Sequence, residues 1–121
     1  MPSPEIDARQ TPALVPPTLL DAVVRRFDPL EVILFGSRAR GDAGPDSDWD
    51  LLVVLRDDAP PQDFRLSTAR QAVAGTRIPA DVMPCRKGWF DYKRDVVNSL
   101  AWVAATQGVV VYERTGRSQA A

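Results

Sequence analysis

The hydrophobic residues of this chain recur with two periods, one typical of helices and the other of buried strands. Apolar residues at three- and four-residue spacing predict a helix from Pro17 to Phe27, because that spacing places them on one helical face. Apolar runs over Leu30–Phe35 and Trp49–Leu55 are short and rich in β-formers, so each predicts a strand. The second run is apolar on both faces beyond Asp50, which is typical of a central strand.

The second half of the chain continues the alternation. The pattern predicts a helix over Asp63–Ala74, a strand over Ile78–Met83, a longer helix over Trp89–Thr106 and a last strand over Val109–Tyr112. Residues 38–47 hold glycine, proline and small polar residues, which predict a turn-rich connection with one helical turn near its start. The order indicates an α/β (α+β) fold in which helices cover a small mixed β-sheet.

A change in composition marks the two ends of the chain. Residues 1–17 hold five of the eleven prolines and lack hydrophobic periodicity, which predicts a flexible N-terminal arm. The tail, 114–121, is small and polar and predicts a frayed end. The remainder, 18–113, is predicted to be one domain, because a chain of 121 residues buries a single core.

The composition of the chain argues against several classes of function. The net charge of −1 argues against an extended nucleic-acid-binding face, which needs a basic excess. The apolar runs are far shorter than the roughly 20 residues that a membrane-spanning helix needs. The first ten residues lack the features of a secretory signal, so we expect a cytoplasmic protein without membrane contact.

The absence of histidine and the single cysteine, Cys85, limit the available chemistry. Zinc sites of the usual ligand types, and Ser-His-Asp or Cys-His nucleophilic sites, require residues that this chain lacks. Metal chemistry here must use carboxylates, which favour hard ions such as Mg²⁺ or Mn²⁺.

Three aspartates are the candidate metal ligands and catalytic residues. Asp48 and Asp50 are two residues apart where the second strand begins, so their side chains project to one face. Two like charges this close repel strongly unless a cation lies between them. Asp81 lies within the third predicted strand, where a charge is costly without a partner or a metal. If the two strands are neighbours, the three carboxylates can hold two Mg²⁺ ions, and Asp81 can also accept a proton.

The residues that follow the first strand are candidates for binding a nucleotide. Gly36 lets the backbone approach a phosphate closely, and the hydroxyl of Ser37 and nearby backbone N–H groups can donate to it. Arg38 and Arg40 come next and can reach phosphate oxygens or a departing pyrophosphate.

Simpler interpretations stand beside these. Asp48 can serve only to turn the chain before a strand, and Asp81 can pair with Arg77 or Arg86. The two arginines after Ser37 can form no more than a solvated basic edge. Cys85 is typical of a small buried apolar residue.

The segment GSRARGDAGPDSDWDLLVV, residues 36–54, resembles the signature of minimal nucleotidyltransferases in the DNA polymerase beta superfamily. In that signature a glycine-serine pair is separated by ten residues from two aspartates that enter a strand, and a third carboxylate follows in a later strand. The resemblance extends from about Thr18 to Glu113. Trp49 is bulkier than the small aliphatic residue that often stands between the two aspartates, and we expect it to face away from the metal.

The resemblance implies a site and a reaction. Gly36 and Ser37 would bind the phosphates, and Asp48, Asp50 and Asp81 would form the metal triad. The reaction would move a nucleoside monophosphate from an NTP, expected to be ATP, to a hydroxyl with release of pyrophosphate.

Small members of the family resemble the antitoxin of bacterial toxin–antitoxin pairs, which suggests a HEPN-domain ribonuclease toxin as partner and acceptor in a hetero-oligomer. Two alternatives remain open at this point. One is a non-catalytic module that neutralises a partner by contact. The other is a small-molecule nucleotidyltransferase of the aminoglycoside type, whose acceptor groove could use Asp57, Asp58, Asp91 and Asp95.

Overall fold

The computed structural model describes residues 14–114. Most of the predicted arm, 1–17, and most of the predicted tail, 114–121, lie outside these residues. Five α-helices, one 3₁₀ turn and four strands follow one another within the described part. In chain order they are α1 (Pro17–Phe27), β1 (Glu31–Phe35), α2 (Ser37–Arg40), β2 (Trp49–Leu55), the 3₁₀ turn (Pro61–Phe64), α3 (Leu66–Ala74), β3 (Ala80–Arg86), α4 (Lys87–Lys93), α5 (Leu100–Gln107) and β4 (Val109–Glu113).

The four strands form one mixed sheet in the order β3-β2-β1-β4. The β1 strand pairs antiparallel with both β2 and β4, whereas β2 and β3 are parallel. The β2 strand therefore has a neighbour on each side, which confirms the central position predicted from its apolar run. A mixed sheet flanked by helices also confirms the predicted α+β class.

Helices cover both faces of the sheet. On one face, Leu51, Val53 and Leu55 of β2 are buried in a cluster that includes residues of α1 and α3. On the other face, Leu52 and Val54 are buried with residues of α4 and α5. Alternate β2 residues thus serve two cores, which explains why this strand is apolar on both faces.

The long helix predicted over Trp89–Thr106 is wrong as a single element. It is two helices, α4 and α5, separated by turns over residues 94–99. Asn98 has a φ of 70°, a left-handed conformation that a helix interior does not allow. The hydroxyl of Ser99 then accepts a hydrogen bond from the Trp102 amide at 3.1 Å and caps the start of α5.

Two smaller boundaries also differ. The helix predicted from Asp63 begins as a 3₁₀ turn and becomes α-helical only at Leu66. The third strand begins at Ala80, two residues after the predicted start, so Asp81 lies near its beginning and is exposed. The sequence argument that Asp81 is a costly internal charge was therefore wrong, although its place on a strand beside β2 is confirmed. None of the helices in the described part is long and apolar enough to cross a membrane.

Candidate active site

The turn after β1 brings the backbone against a carboxylate. Phe35 is the cross-strand partner of Asp50, so the next residue, Gly36, lies directly beside that side chain. Gly36 has a φ of 76°, which L side chains rarely adopt. A Cβ atom at this position would overlap Oδ2 of Asp50 and lie 3.1 Å from its Cγ. Only glycine satisfies both the conformation and the contact.

The register of the parallel pair places two carboxylates side by side. Asp50 of β2 is paired with Asp81 of β3, so their side chains project from the same face of the sheet, on strands roughly 4.8 Å apart. Asp48 precedes Asp50 by two residues at the same end of the sheet. Trp49, which lies between them, points to the opposite face and is buried in the core with 7% of its surface exposed.

The pKa of the Asp50 carboxyl is shifted by its surroundings. Burial raises the pKa of the Asp50 carboxyl, and the neighbouring charges of Asp81 and Asp48 raise it further, whereas Arg40 lowers it. Within the described part of the chain, Asp81 makes no ion pair with Arg77 or Arg86. The simple salt-bridge interpretation of Asp81 therefore has no support in its contacts.

The donor set of this site fits a hard divalent cation. Two carboxylates beside Asp50 raise its pKa, so the site is short of positive charge, and oxygen ligands are what Mg²⁺ and Mn²⁺ prefer. Among residues 14–114, no three acidic or cysteine side chains converge into a preformed metal cage. A cation is therefore favoured here by the negative charges gathered around Asp50.

The two arginines after Ser37 point in different directions. The guanidinium of Arg38 donates to the Ser47 carbonyl from Nη2 at 2.8 Å and from Nε at 3.2 Å, and to the Pro45 carbonyl at 3.3 Å. Arg40 is exposed, forms a 3.3 Å ion pair with Asp42 and acts on the charge of Asp50. The charge of Arg40 thus acts on Asp50, whereas Arg38 binds the loop before Asp48.

One residue of this region was not singled out from the sequence for a role in the site. The Trp49 ring lies under the Arg38 guanidinium, with 4.3 Å between the guanidinium carbon and the ring centroid. The available signal was the bulky residue between the two aspartates, but its partner lies eleven positions earlier and cannot be read from a pattern.

The structure thus places an acidic site at the end of a mixed sheet, beside a glycine-serine turn, in a small α+β domain. The chain belongs to the nucleotidyltransferase domain family, whose model matches residues 17–103. The match contains every candidate site residue, from Gly36 to Asp81, and the protein is a nucleotidyltransferase by family.

Solved structures support the assignment of the fold. One, a toxin–antitoxin structure with AMP-PNP, is similar with a TM-score of 0.54 and 21% identity over 78% of this chain and 70% of that chain. Another, a mutant of the toxin–antitoxin pair MntA–HpeT, is similar with a TM-score of 0.53 and 19% identity over the same shares. At these identities the likeness shows a common fold. No curated protein is similar enough to the chain to count as a match.

Proposed function

We propose that this protein is a Mg²⁺-dependent nucleotidyltransferase that moves AMP from ATP to a hydroxyl group on a partner protein. The observation that carries the proposal is the pairing of Asp50 with Asp81, with Gly36 packed against the Asp50 carboxyl. A contact-only domain has no need of clustered carboxylates, because their mutual repulsion destabilises the fold. The membership of the nucleotidyltransferase domain family agrees with this chemistry.

The roles of the acidic residues follow from their positions. Asp48, Asp50 and Asp81 would hold two Mg²⁺ ions, and Mn²⁺ suits the same oxygen ligands. Bound there, the ions would neutralise the triphosphate and lower the pKa of the attacking hydroxyl. Asp81 is exposed near the start of the edge strand β3, so we also assign it the role of accepting the acceptor's proton.

The turn between β1 and α2 would bind the phosphates. Gly36 leaves room for close approach, and the backbone N–H groups at the start of α2 and the Ser37 hydroxyl would donate to phosphate oxygens. Arg40 is exposed and near the carboxylates, so it would contact the departing pyrophosphate. The acceptor oxygen forms a bond to the α-phosphorus, the bond to pyrophosphate breaks, and the proton passes to Asp81.

We further propose that the protein acts in the cytoplasm as an antitoxin, with a HEPN-domain ribonuclease toxin as partner and acceptor. The support is the likeness of its fold to two toxin–antitoxin structures, one of them with AMP-PNP. A hetero-oligomer with the toxin would bring the acceptor hydroxyl to the acidic end of the sheet.

The small-molecule alternative is not favoured by the placement of the other carboxylates. Asp57 and Asp58 follow the far end of β2, roughly 20 Å from Asp48 at 3.3 Å per strand residue. Asp57 accepts a hydrogen bond from the Gly88 amide, and Asp91 pairs with Lys87 at 2.6 Å. Asp57, Asp58 and Asp91 thus have structural partners of their own, Asp58 being paired with Arg56.

The test is to express the protein with its genomic neighbours, purify the complex that forms and incubate it with Mg²⁺ and α-labelled ATP. The Asp48→Ala/Asp50→Ala variant removes the metal ligands. The Asp21→Ala/Asp58→Ala variant removes two exposed carboxylates elsewhere and serves as the matched control. We expect label on a partner protein that is lost only in the first variant.

Other outcomes would change the proposal. A stable complex that binds Mg²⁺-nucleotide but takes no label from any of the four NTPs would move the acceptor elsewhere. Absence of nucleotide binding would favour neutralisation by contact alone.

A further inference from the structure

A single guanidinium contacts the chain on both sides of Asp48. Arg38 donates to the carbonyl oxygen of Ser47, at 2.8 and 3.2 Å. That oxygen belongs to the peptide bond that joins Ser47 to Asp48. The face of the same guanidinium stacks on Trp49, the residue after Asp48, at 4.3 Å. The backbone of Asp48 is thus held before and after the residue by one side chain.

The loop before Asp48 depends on these contacts. Residues 42–44, 47 and 48 have no regular secondary structure, and 45–46 form a turn. The turn is closed locally, because the Gly44 amide donates to the Ser47 hydroxyl at 3.0 Å and the Ser47 amide donates to the Gly44 carbonyl at 3.2 Å. Arg38 adds the bonds that tie this turn to α2, and hence to the Gly36-Ser37 turn.

The polar contacts of Arg38 are with the backbone. Among the described residues, it forms no ion pair with an aspartate. The donors of Arg38 are directed to backbone carbonyls of the loop. Its contacts are therefore those of a side chain that fixes geometry.

We propose that Arg38 is a positioning residue that, through the Ser47 carbonyl and the Trp49 ring, sets the place of Asp48 relative to Asp50. The inference rests on the proposed function, in which Asp48 is a metal ligand. Asp48 lies outside the strand and is exposed, so no core packing holds its side chain. The Arg38 contacts supply the local order that a metal ligand requires.

The inference distinguishes arginine from lysine. Only a planar guanidinium can stack on an indole with its face while its edge donates from both Nε and Nη2 to one carbonyl oxygen. A lysine keeps the charge but loses this geometry. Arg38→Lys should therefore behave like Arg38→Gln if the residue positions Asp48, and like the wild type if it supplies charge to a phosphate.

The experiment uses the full chain with Arg38→Lys, Arg38→Gln and Trp49→Leu, and Arg25→Gln as an exposed control on α1. Hydrogen exchange of the metal-free protein reports on peptides that cover residues 41–50, and the far-UV spectrum and thermal transition show that each variant is folded. Mn²⁺ binding is measured by titration, and kcat and KM for ATP are measured in the complex.

We expect both Arg38 variants to exchange residues 44–48 about tenfold faster than the wild type, because local opening becomes easier. Mn²⁺ affinity and kcat should each fall about 10- to 100-fold, as is typical when support of a metal ligand is lost. The KM for ATP should change less than about threefold, because a positioning residue makes no contact with the bound nucleotide. Trp49→Leu should show the same pattern with a smaller effect.

Three results would overturn the inference. The first is a Lys variant with wild-type exchange, Mn²⁺ affinity and kcat. The second is a rise in KM for ATP with kcat retained, which would make Arg38 a phosphate ligand. The third is a wild type that neither binds Mn²⁺ nor transfers a nucleotide, which would overturn the proposed function as well, whereas the first two leave that function standing.

Discussion

The charged carboxylate of Asp50 is expected to destabilise the metal-free fold, although the proposed function requires it as a metal ligand. Its carboxyl is half-buried next to two other carboxylates, and its pKa is raised by burial and then by Asp81 and Asp48. A raised pKa means that the folded state binds the proton more tightly than the unfolded chain does. The contribution of Asp50 to the stability of the metal-free protein therefore falls as the pH rises above the ordinary value of 3.8.

Asp50→Asn separates the effect of this carboxylate on stability from its effect on activity. We expect the metal-free variant to melt at a higher temperature than the wild type at pH 7, with a smaller difference at pH 4, because the amide carries no charge. Excess Mg²⁺ at about 100 times its Kd should stabilise the wild type by about 2.7 kcal/mol and leave the variant unchanged. Nucleotide transfer should fall at least about 100-fold, beyond the loss typical of outer-shell changes.

The measurement is calorimetry with and without Mg²⁺, and Asp21→Asn is the control for loss of an exposed charge. A variant that melts lower than the wild type without metal would show that the Asp50 carboxylate stabilises the fold by contacts of its own.

Cys85 is predicted to be chemically inert in the folded protein. Burial raises the pKa of its thiol to about 12, and the charge of Glu31 adds to the rise. At pH 8.5 roughly 1 in 3,000 molecules would carry the thiolate, against about half in the unfolded chain. Alkylation by iodoacetamide should therefore be about 1,000-fold slower in buffer than in urea, because the folded protein carries so little thiolate. Rapid native labelling followed by mass spectrometry would contradict this.

The residues of the site differ in how far the sequence could predict them. Gly36, Asp48 and Asp50 are marked by spacing, because a turn, a strand start and a period of two fix their relative positions. The structure adds the reason for the glycine, which is the contact with Asp50. The packing of Arg38 on Trp49 depends on the path of the intervening loop, and no local pattern encodes that path.

At the scale of elements, the start of α5 depends on one hydroxyl. Ser99 accepts from the Trp102 amide at 3.1 Å and donates to the Lys93 carbonyl at 2.7 Å, so it joins the end of α4 to the start of α5. We expect Ser99→Ala to lower the free energy of unfolding by about 1 kcal/mol, the usual cost of losing a cap. Ser67→Ala, exposed in α3, is the control, and urea denaturation is the measurement.

We expect Ser99→Ala to change the stability of the protein without changing its activity. The hydroxyl of Ser99 bonds to Lys93 and Trp102 and not to the carboxylates, so transfer by the folded variant should equal that of the wild type. A cost near zero would mean that the two turns over 94–99 are held by other contacts.

Helices and strands were predicted most accurately where the sequence patterns agreed with one another. Apolar spacing between Pro17 and the Asp28-Pro29 break located α1 with the observed bounds, and a continuous apolar run located β2. Over residues 89–106 two signals competed, since apolar spacing ran on while Asn98-Ser99 formed a cap signature. The cap determined the structure, because the left-handed Asn98 and the Ser99 hydrogen bonds end one helix and begin another.

At the scale of the whole molecule, the order of strands could not be read from the sequence. The parallel pairing of β2 and β3 needs a crossover through α3, and nothing in the strand sequences specifies which neighbours pair. That pairing brings Asp81 to Asp50, so the site depends on topology as well as on its motif. Only the assumption that the two strands are neighbours linked Asp81 to the pair.

The topology also separates the site from the bulk of the domain. The carboxylates lie at one end of the sheet, whereas the two cores lie along its faces under the helices. Asp48→Ala/Asp50→Ala should therefore leave the fold and any large contact surface intact. We expect this variant to form a complex with the neighbouring gene product of the same mass and with a Kd within about threefold of the wild-type value, since no interface core is altered.

Cell survival then distinguishes transfer from contact. If the protein protects by nucleotidylating its partner, cells that express the partner with the double variant should stop growing although the complex forms. Survival equal to that with the wild-type protein would show that binding alone neutralises the partner, which would leave the three carboxylates without a role in protection. Loss of both the complex and survival would place the acidic end of the sheet within the contact surface.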